Sequence, residues 1–130
     1  MRQVIYVAHP VRPAPGRPSL EDNLSNVKAW LRWLFAHDPD RAYIAPWVAE
    51  VEGWIEAGQA EDPAIVEKAL GDDEAVVAHC DGIIMVGGFG VTSGMARERT
   101  VNKAHGHREC DWTAYRTPTD LPEGATPWPQ

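Results

Sequence analysis

Three glycines and one glutamate are the residues of this chain whose types and spacing can do chemistry. Gly87, Gly88 and Gly90 follow the apolar run Ile83-Ile84-Met85-Val86 and precede a helix that Ser93 can cap. Glycines at such a junction let backbone approach a phosphate or a sugar closely, and they serve equally well in a tight turn. Glu98 lies in the second turn of that helix. Helical side chains lean toward the N-terminus, so its carboxylate can point into the glycine-lined crevice. The positive end of the helix dipole favours the ionised form a nucleophile needs; the alternative is an ordinary solvated glutamate on a helix surface. No Gly-Lys-Ser/Thr follows, so the segment is not a Walker A loop. Gly88 to Ser93 nears the dinucleotide fingerprint, but serine stands where its last glycine or alanine belongs. That fingerprint also closes the first strand of a longer unit, and here little chain remains.

The elements that must position these residues read as alternating strands and helices. Val4 to Ala8 is a continuous apolar run, as in a buried parallel strand, and it ends at His9-Pro10. Val11 to Ser19 contains Pro13, Pro15 and Pro18, which exclude regular helix or central strand, so it forms a loop long enough to cover a site. Ser19 or Asp22 caps a helix with Leu24, Val27, Trp30, Leu31, Leu34 and Phe35 on its apolar stripe. Tyr43-Ile44-Ala45 forms a second strand, and Trp47 to Ala57 is open between irregular structure and a short helix. Pro63 starts a helix that runs to Cys80, either continuous or interrupted at Gly71, and the Ile83 strand follows. The last helix extends to about His105, and residues 117–130, rich in proline, form an extended arm or frayed end.

This order predicts an α/β fold, a small doubly wound, flavodoxin- or Rossmann-like parallel sheet of about four strands with helices on both faces. With the first and third strands flanking the switch point, Tyr6 to His9 and Gly87 to Glu98 line one crevice beyond the carboxyl ends. The 130 residues suit one α/β domain over residues 1–116 followed by the tail. A net charge of -7 disfavours a nucleic-acid polymer as partner but leaves room for a local basic site. Cys80 and Cys110 make no disulfide framework, and with no signal peptide or membrane-length apolar run the expected location is the cytoplasm.

Ile5-Tyr6-Val7-Ala8, Asp81 before the central strand, and Ser93-Gly94-Met95-Ala96-Arg97-Glu98 followed by Ala104 and Gly106 carry a likeness. Over about residues 3 to 111 the chain resembles the nucleoside 2-deoxyribosyltransferase and deoxynucleotide N-hydrolase superfamily, including its small, often phage-borne members. The resemblance implies double displacement at the anomeric carbon. Glu98 attacks C1′, the base leaves, and the glycosyl ester passes to water or another base, as in retaining glycosidases. Tyr6 matches the tyrosine that orients the nucleophile, and Asp81 an aspartate on the base-binding side. Where the transferases carry an acid six residues before the nucleophile, this chain has Thr92, and the hydrolases commonly have a serine that contacts the 5′-phosphate. Thr92 and Ser93 at a helix N-terminus therefore favour a nucleotide over a free nucleoside.

The expected catalytic group is Glu98, Tyr6 and Asp81, and the substrate contacts are Ala8, His9, Gly87, Gly88, Gly90, Thr92, Ser93, Gly94 and Arg97. Arg97 and Arg99 can pair with phosphate or simply be solvated. His9 can contact the base, donate a proton, or be structural. No cofactor or metal is expected, and the superfamily implies a homo-oligomer. A weaker likeness links Gly87-Gly88-Phe89-Gly90, Thr92 and Glu98 to the signature of cytokinin-activating phosphoribohydrolases, with Val91 breaking the register.

Other classes compete with this reading. His105, His107, Cys110 and Asp111 offer metal-ligand types without a standard zinc spacing, and a polar helix end followed by an edge strand explains them too. A non-catalytic nucleotide-binding or sensing module could keep the crevice without the chemistry. Among the six tryptophans, Trp30 suits a core or subunit interface, and Trp47 and Trp54 suit packing or stacking on a base.

Overall fold

The structure, a computed structural model, describes residues 2–59 and 62–129. Strand β1 (Gln3–Ala8) enters the core, where Ile5, Tyr6, Val7 and Ala8 are fully buried. Burial on both faces is what its unbroken apolar run requires. Helix α1 (Leu20–His37) starts where the Ser19 hydroxyl accepts from the Asp22 N–H at 3.1 Å, with Glu21 and Asp22 at the positive end of the dipole. Its buried stripe is Leu24, Val27, Trp30 and Leu34. Phe35 does not join it. The ring is 84% exposed, because it sits in the last turn of α1 where nothing covers that edge of the helix.

Strand β2 (Arg41–Ile44) leads into α2 (Trp47–Ala57), the segment whose sequence left helix and irregular structure open. Tertiary contacts decide it. Trp47 and Val51 are buried, and the Trp47 indole donates to the Val7 carbonyl at 3.2 Å, which anchors the helix across the end of β1. Helix α3 (Pro63–His79) begins with Pro63 behind an Asp62 cap and passes through Gly71 without interruption. An interior glycine costs a helix only about 1 kcal/mol relative to alanine. Packing of Val66, Ala69 and Val77 readily offsets that cost.

Strand β3 (Gly82–Met85), helix α4 (Ser93–Ala104) and strand β4 (Arg108–Asp111) complete an all-parallel sheet of order β2-β1-β3-β4. This is a small doubly wound α/β fold. Ala8 stands beside Met85 in the β1–β3 register, so the carboxyl ends of these strands meet at the switch point. The cap of α4 is Thr92, whose Oγ1 accepts from Met95 N–H at 3.3 Å; Ser93 is instead the first helical residue. Among the described residues, no helix is long and apolar enough to cross a membrane.

Residues 117–129 form neither an extended arm nor a frayed end. After a 3-10 turn at Pro118–Asp120 the chain returns to the sheet, where Trp128 is buried against Gly82 with the Arg108 guanidinium 4.9 Å above its ring. The Trp112 indole donates to the Pro127 carbonyl at 3.1 Å. A large aromatic surface finding a half-covered sheet edge outweighs the entropy of a short proline-rich segment.

Candidate active site

Beyond the carboxyl ends of β1 and β3, a cleft of about 1010 Å³ opens between the β1–α1 loop, α2, α3 and the start of α4. Trp47, Trp54, Ile55 and Leu70 give it apolar walls, and Thr92, Ser93 and Gly94 bring the N-terminus of α4 to its edge. Glu98 reaches it from the second turn of α4 and is only 6% exposed. The Tyr6 hydroxyl, from the floor of the sheet, donates to Glu98 Oε2. Strand β1 fixes the phenol and helix α4 the carboxylate, so two rigid elements set this contact.

A second carboxylate shares the cleft. Asp73 on α3 lines it, is 5% exposed, and has its buried Oδ1 without a hydrogen-bond partner among the described residues. Burial, reinforced by Glu50 and Asp72, pushes the Asp73 carboxyl up to about 7. Burial likewise lifts Glu98 to about 8; the Tyr6 hydrogen bond works against that rise, and the charge of Asp73 adds to it. Desolvation therefore outweighs the helix dipole that was expected to keep Glu98 ionised. Burial and the facing Glu98 raise Tyr6, which stays a protonated donor.

Asp73 was not among the residues expected to act; it lies within the acidic run Asp72-Asp73-Glu74. A signal was present nonetheless. Asp73 falls in helical phase with Val66, Ala69 and Val77, the buried stripe of α3, and a charge in that phase must face the core or a cavity. Glu50 on α2 is a weaker case, with a buried Oε2 that also lacks a partner among the described residues.

Of the residues expected to act, the structure gathers Glu98, Tyr6, His9, Thr92, Ser93 and Gly94 at or directly beneath the cleft. His9 is committed to structure. Its Nδ1 lies 2.6 Å from the Pro10 carbonyl and so carries the proton, while Nε2 accepts from Asn26 at 2.9 Å. Burial holds its pKa down at about 4, which removes it as a proton donor near neutrality. Ala8 is buried in β1 behind the cleft.

Asp81 is not brought to the site. It precedes β3 at the amino end of the sheet and is exposed, and its carboxylate accepts from the Val4 N–H at 2.7 Å, a tie between neighbouring strands. Arg97 points away as well. It pairs with Glu67 at 3.0 Å and Glu74 at 2.5 Å, clamping α4 to α3, and Arg99 pairs with Glu109 on β4. Arg97→Ala is expected to lower Tm modestly, since a largely solvent-facing ion pair contributes little. A loss of more than about 10 °C would show that this clamp holds α4 to α3 more firmly than such pairs usually do.

Gly87 and Gly88 serve the turn rather than a ligand. Gly87 adopts φ +109, and a Cβ there would meet the His9 ring at 2.5 Å; at Gly88 (φ +76) it would meet the Arg116 Cα at 3.0 Å. Gly87→Ala is therefore expected to destabilise the fold by roughly 2 to 4 kcal/mol, combining backbone strain with a clash in a packed region. Urea unfolding measures it; a loss below half a kcal/mol would show that the turn relaxes freely. Gly90 faces open space, and like Gly87 and Gly88 it is not among the residues that line the cleft.

His105, His107, Cys110 and Asp111 do not converge. Cys110 is buried in β4, Asp111 accepts from the Thr113 N–H and hydroxyl, and no group of three or more candidate metal ligands occurs among the described residues. Compared with known proteins, the chain matches no family model, no curated protein and no solved structure.

Proposed function

We propose that this protein cleaves or transfers the N-glycosidic bond of a nucleoside 5′-monophosphate or nucleoside through a covalent glycosyl-enzyme. The observation that carries this reading is the pair Glu98 and Asp73, two desolvated carboxyl groups in one cleft, with the Tyr6 hydroxyl bonded to the first. In the first step a Glu98 oxygen bonds to C1′ as the C1′–N bond breaks, and the proton of Asp73 moves to the departing base nitrogen. In the second, water or another base attacks C1′, Asp73 takes up its proton, and Glu98 leaves as carboxylate. Tyr6 holds the nucleophile in one orientation throughout.

The walls suit the remaining parts of such a substrate. Trp54, Ile55 and Leu70 offer apolar surface to a base, and the free N–H groups at the start of α4, beside Thr92 and Ser93, suit a 5′-phosphate. The same proposal includes a homo-oligomer in the cytoplasm, and sedimentation velocity reads the assembly state.

Incubation with nucleosides and nucleotides of each base, followed by chromatography for free base and intact-mass detection of a glycosyl adduct, tests the reading. Absence of base release from all of them would remove it. A non-catalytic nucleotide-binding module is the second reading, favoured by the raised pKa of Glu98, which leaves much of it protonated near neutrality. Saturable nucleotide binding without turnover at any pH selects that alternative.

A further inference from the structure

The rim of the cleft holds a concentration of positive charge that a single phosphate does not require. Arg12 and Arg17, both on the β1–α1 loop, line the cleft, and both are exposed. The Arg17 guanidinium stands 5.8 Å from the ring centre of Phe89, and that of Arg116, arriving from the loop after β4, stands 5.7 Å from the same ring. Among the described residues none of these three arginines forms an ion pair, whereas Arg41, Arg97 and Arg99 each find a carboxylate. Three acids line the cleft, Glu21 beside the arginine-bearing loop in sequence and Asp73 and Glu98 on α3 and α4, and none of them pairs with these arginines.

This gathering is built. The Arg116 carbonyl accepts from Asn26 at 2.7 Å and from the Trp30 indole at 2.9 Å, and the missing Cβ of Gly88 lets the Arg116 backbone come close. Phe89 itself holds φ 59, a left-handed conformation that costs a bulky residue energy, and its ring is 44% exposed at the rim. Two like charges held against a single ring, neither paired with a carboxylate among the described residues, form a place where an anion relieves their mutual repulsion. A monophosphate brings about two negative charges; a di- or triphosphate brings three or four and extends far enough to meet several guanidiniums.

We infer that the Arg12, Arg17 and Arg116 rim binds a polyphosphate tail, so that the substrate is a nucleoside 5′-di- or triphosphate rather than the monophosphate or the free nucleoside. This rests on the cleft being a nucleotide site and adds the class of nucleotide. The volume of the cleft, about 1010 Å³, stands at the upper end of the usual range for small-ligand pockets and leaves space for the longer tail.

The test is calorimetric titration of a Glu98→Gln protein, which binds without turnover, with one nucleoside and its mono-, di- and triphosphate in magnesium-free buffer at low salt. Affinity is expected to rise at least about tenfold from monophosphate to triphosphate, as several exposed charge pairs add. That ratio should shrink at high salt and collapse in an Arg17→Gln/Arg116→Gln protein, and inorganic tripolyphosphate should compete for the site. Equal affinity for the monophosphate and triphosphate overturns the inference. So does a ratio that survives both high salt and the double substitution, or a short single-stranded oligonucleotide that outcompetes the triphosphate. The salt series needs no variant at the rim and decides the matter if the double variant fails to fold. Base release at equal kcat/KM from mono- and triphosphate keeps the glycosidic reading and removes this one. Graded binding with no base released by the unsubstituted protein does the reverse.

Discussion

Glu98→Gln is expected to lower base release by roughly a thousandfold or more, with loss of the glycosyl adduct and little change in substrate affinity. Glutamine keeps the shape of the side chain and an oxygen that accepts from the Tyr6 hydroxyl, so the change removes the nucleophile and little else. Stability provides the control. Burial raises the folded-state pKa of Glu98 from 4.5 to about 8, so the folded protein bears a growing cost as pH rises across that interval. Below the lower value both states are protonated and the cost vanishes. The variant should therefore match the parent in Tm near pH 4 and equal or exceed it at pH 8 and above. Normal turnover by a folded Glu98→Gln protein would end the covalent mechanism.

The second large effect concerns Asp73. Base departure needs Glu98 ionised and Asp73 protonated, yet the carboxyls stand at about 8 and about 7 respectively. The productive arrangement is one of two that share a single proton between the pair. kcat/KM for the unsubstituted protein should follow a bell with its maximum between about 7 and about 8. Asp73→Asn is expected to lower the rate by roughly a hundred- to a thousandfold on an ordinary nucleotide and to abolish the alkaline limb. The one limb that remains should report Glu98 alone, below about 8, because the negative charge that helps hold it protonated is gone. An N-glycoside with a pyridinium leaving group needs no proton to depart, so on that substrate Asp73→Asn should recover most of its activity and Glu98→Gln none. A bell that persists unchanged in Asp73→Asn, or a failure of the pyridinium substrate to rescue it, would assign the acid elsewhere.

Period and punctuation made the frame of this protein legible in one dimension. The apolar runs at Val4 to Ala8 and Ile83 to Val86, the cap at Ser19, Pro63 at a helix start and the glycines after β3 are local signals, and each produced its element. Their order implies the parallel sheet and its switch point, and helical phase places Glu98 on the side of α4 that faces it. Expectations that depended on what a residue would touch fared differently. Asp81 is next to a core strand in sequence but at the wrong end of it in space, Arg97 is spoken for by glutamates on α3, and the tail is held by an indole on the sheet edge.

The sequence by itself determined the strands, most helix starts and the end of the sheet at which a site can form, because hydrophobic period and turn chemistry are written over a few adjacent residues. Only the tertiary structure decided that Asp73 joins Glu98 in one cleft, that burial raises the pKa of both carboxyl groups, and that Arg17 and Arg116 approach one ring, Arg17 from the wall of that cleft. Desolvation and charge proximity are properties of neighbours drawn from distant parts of the chain, and they exist only once the helices have packed.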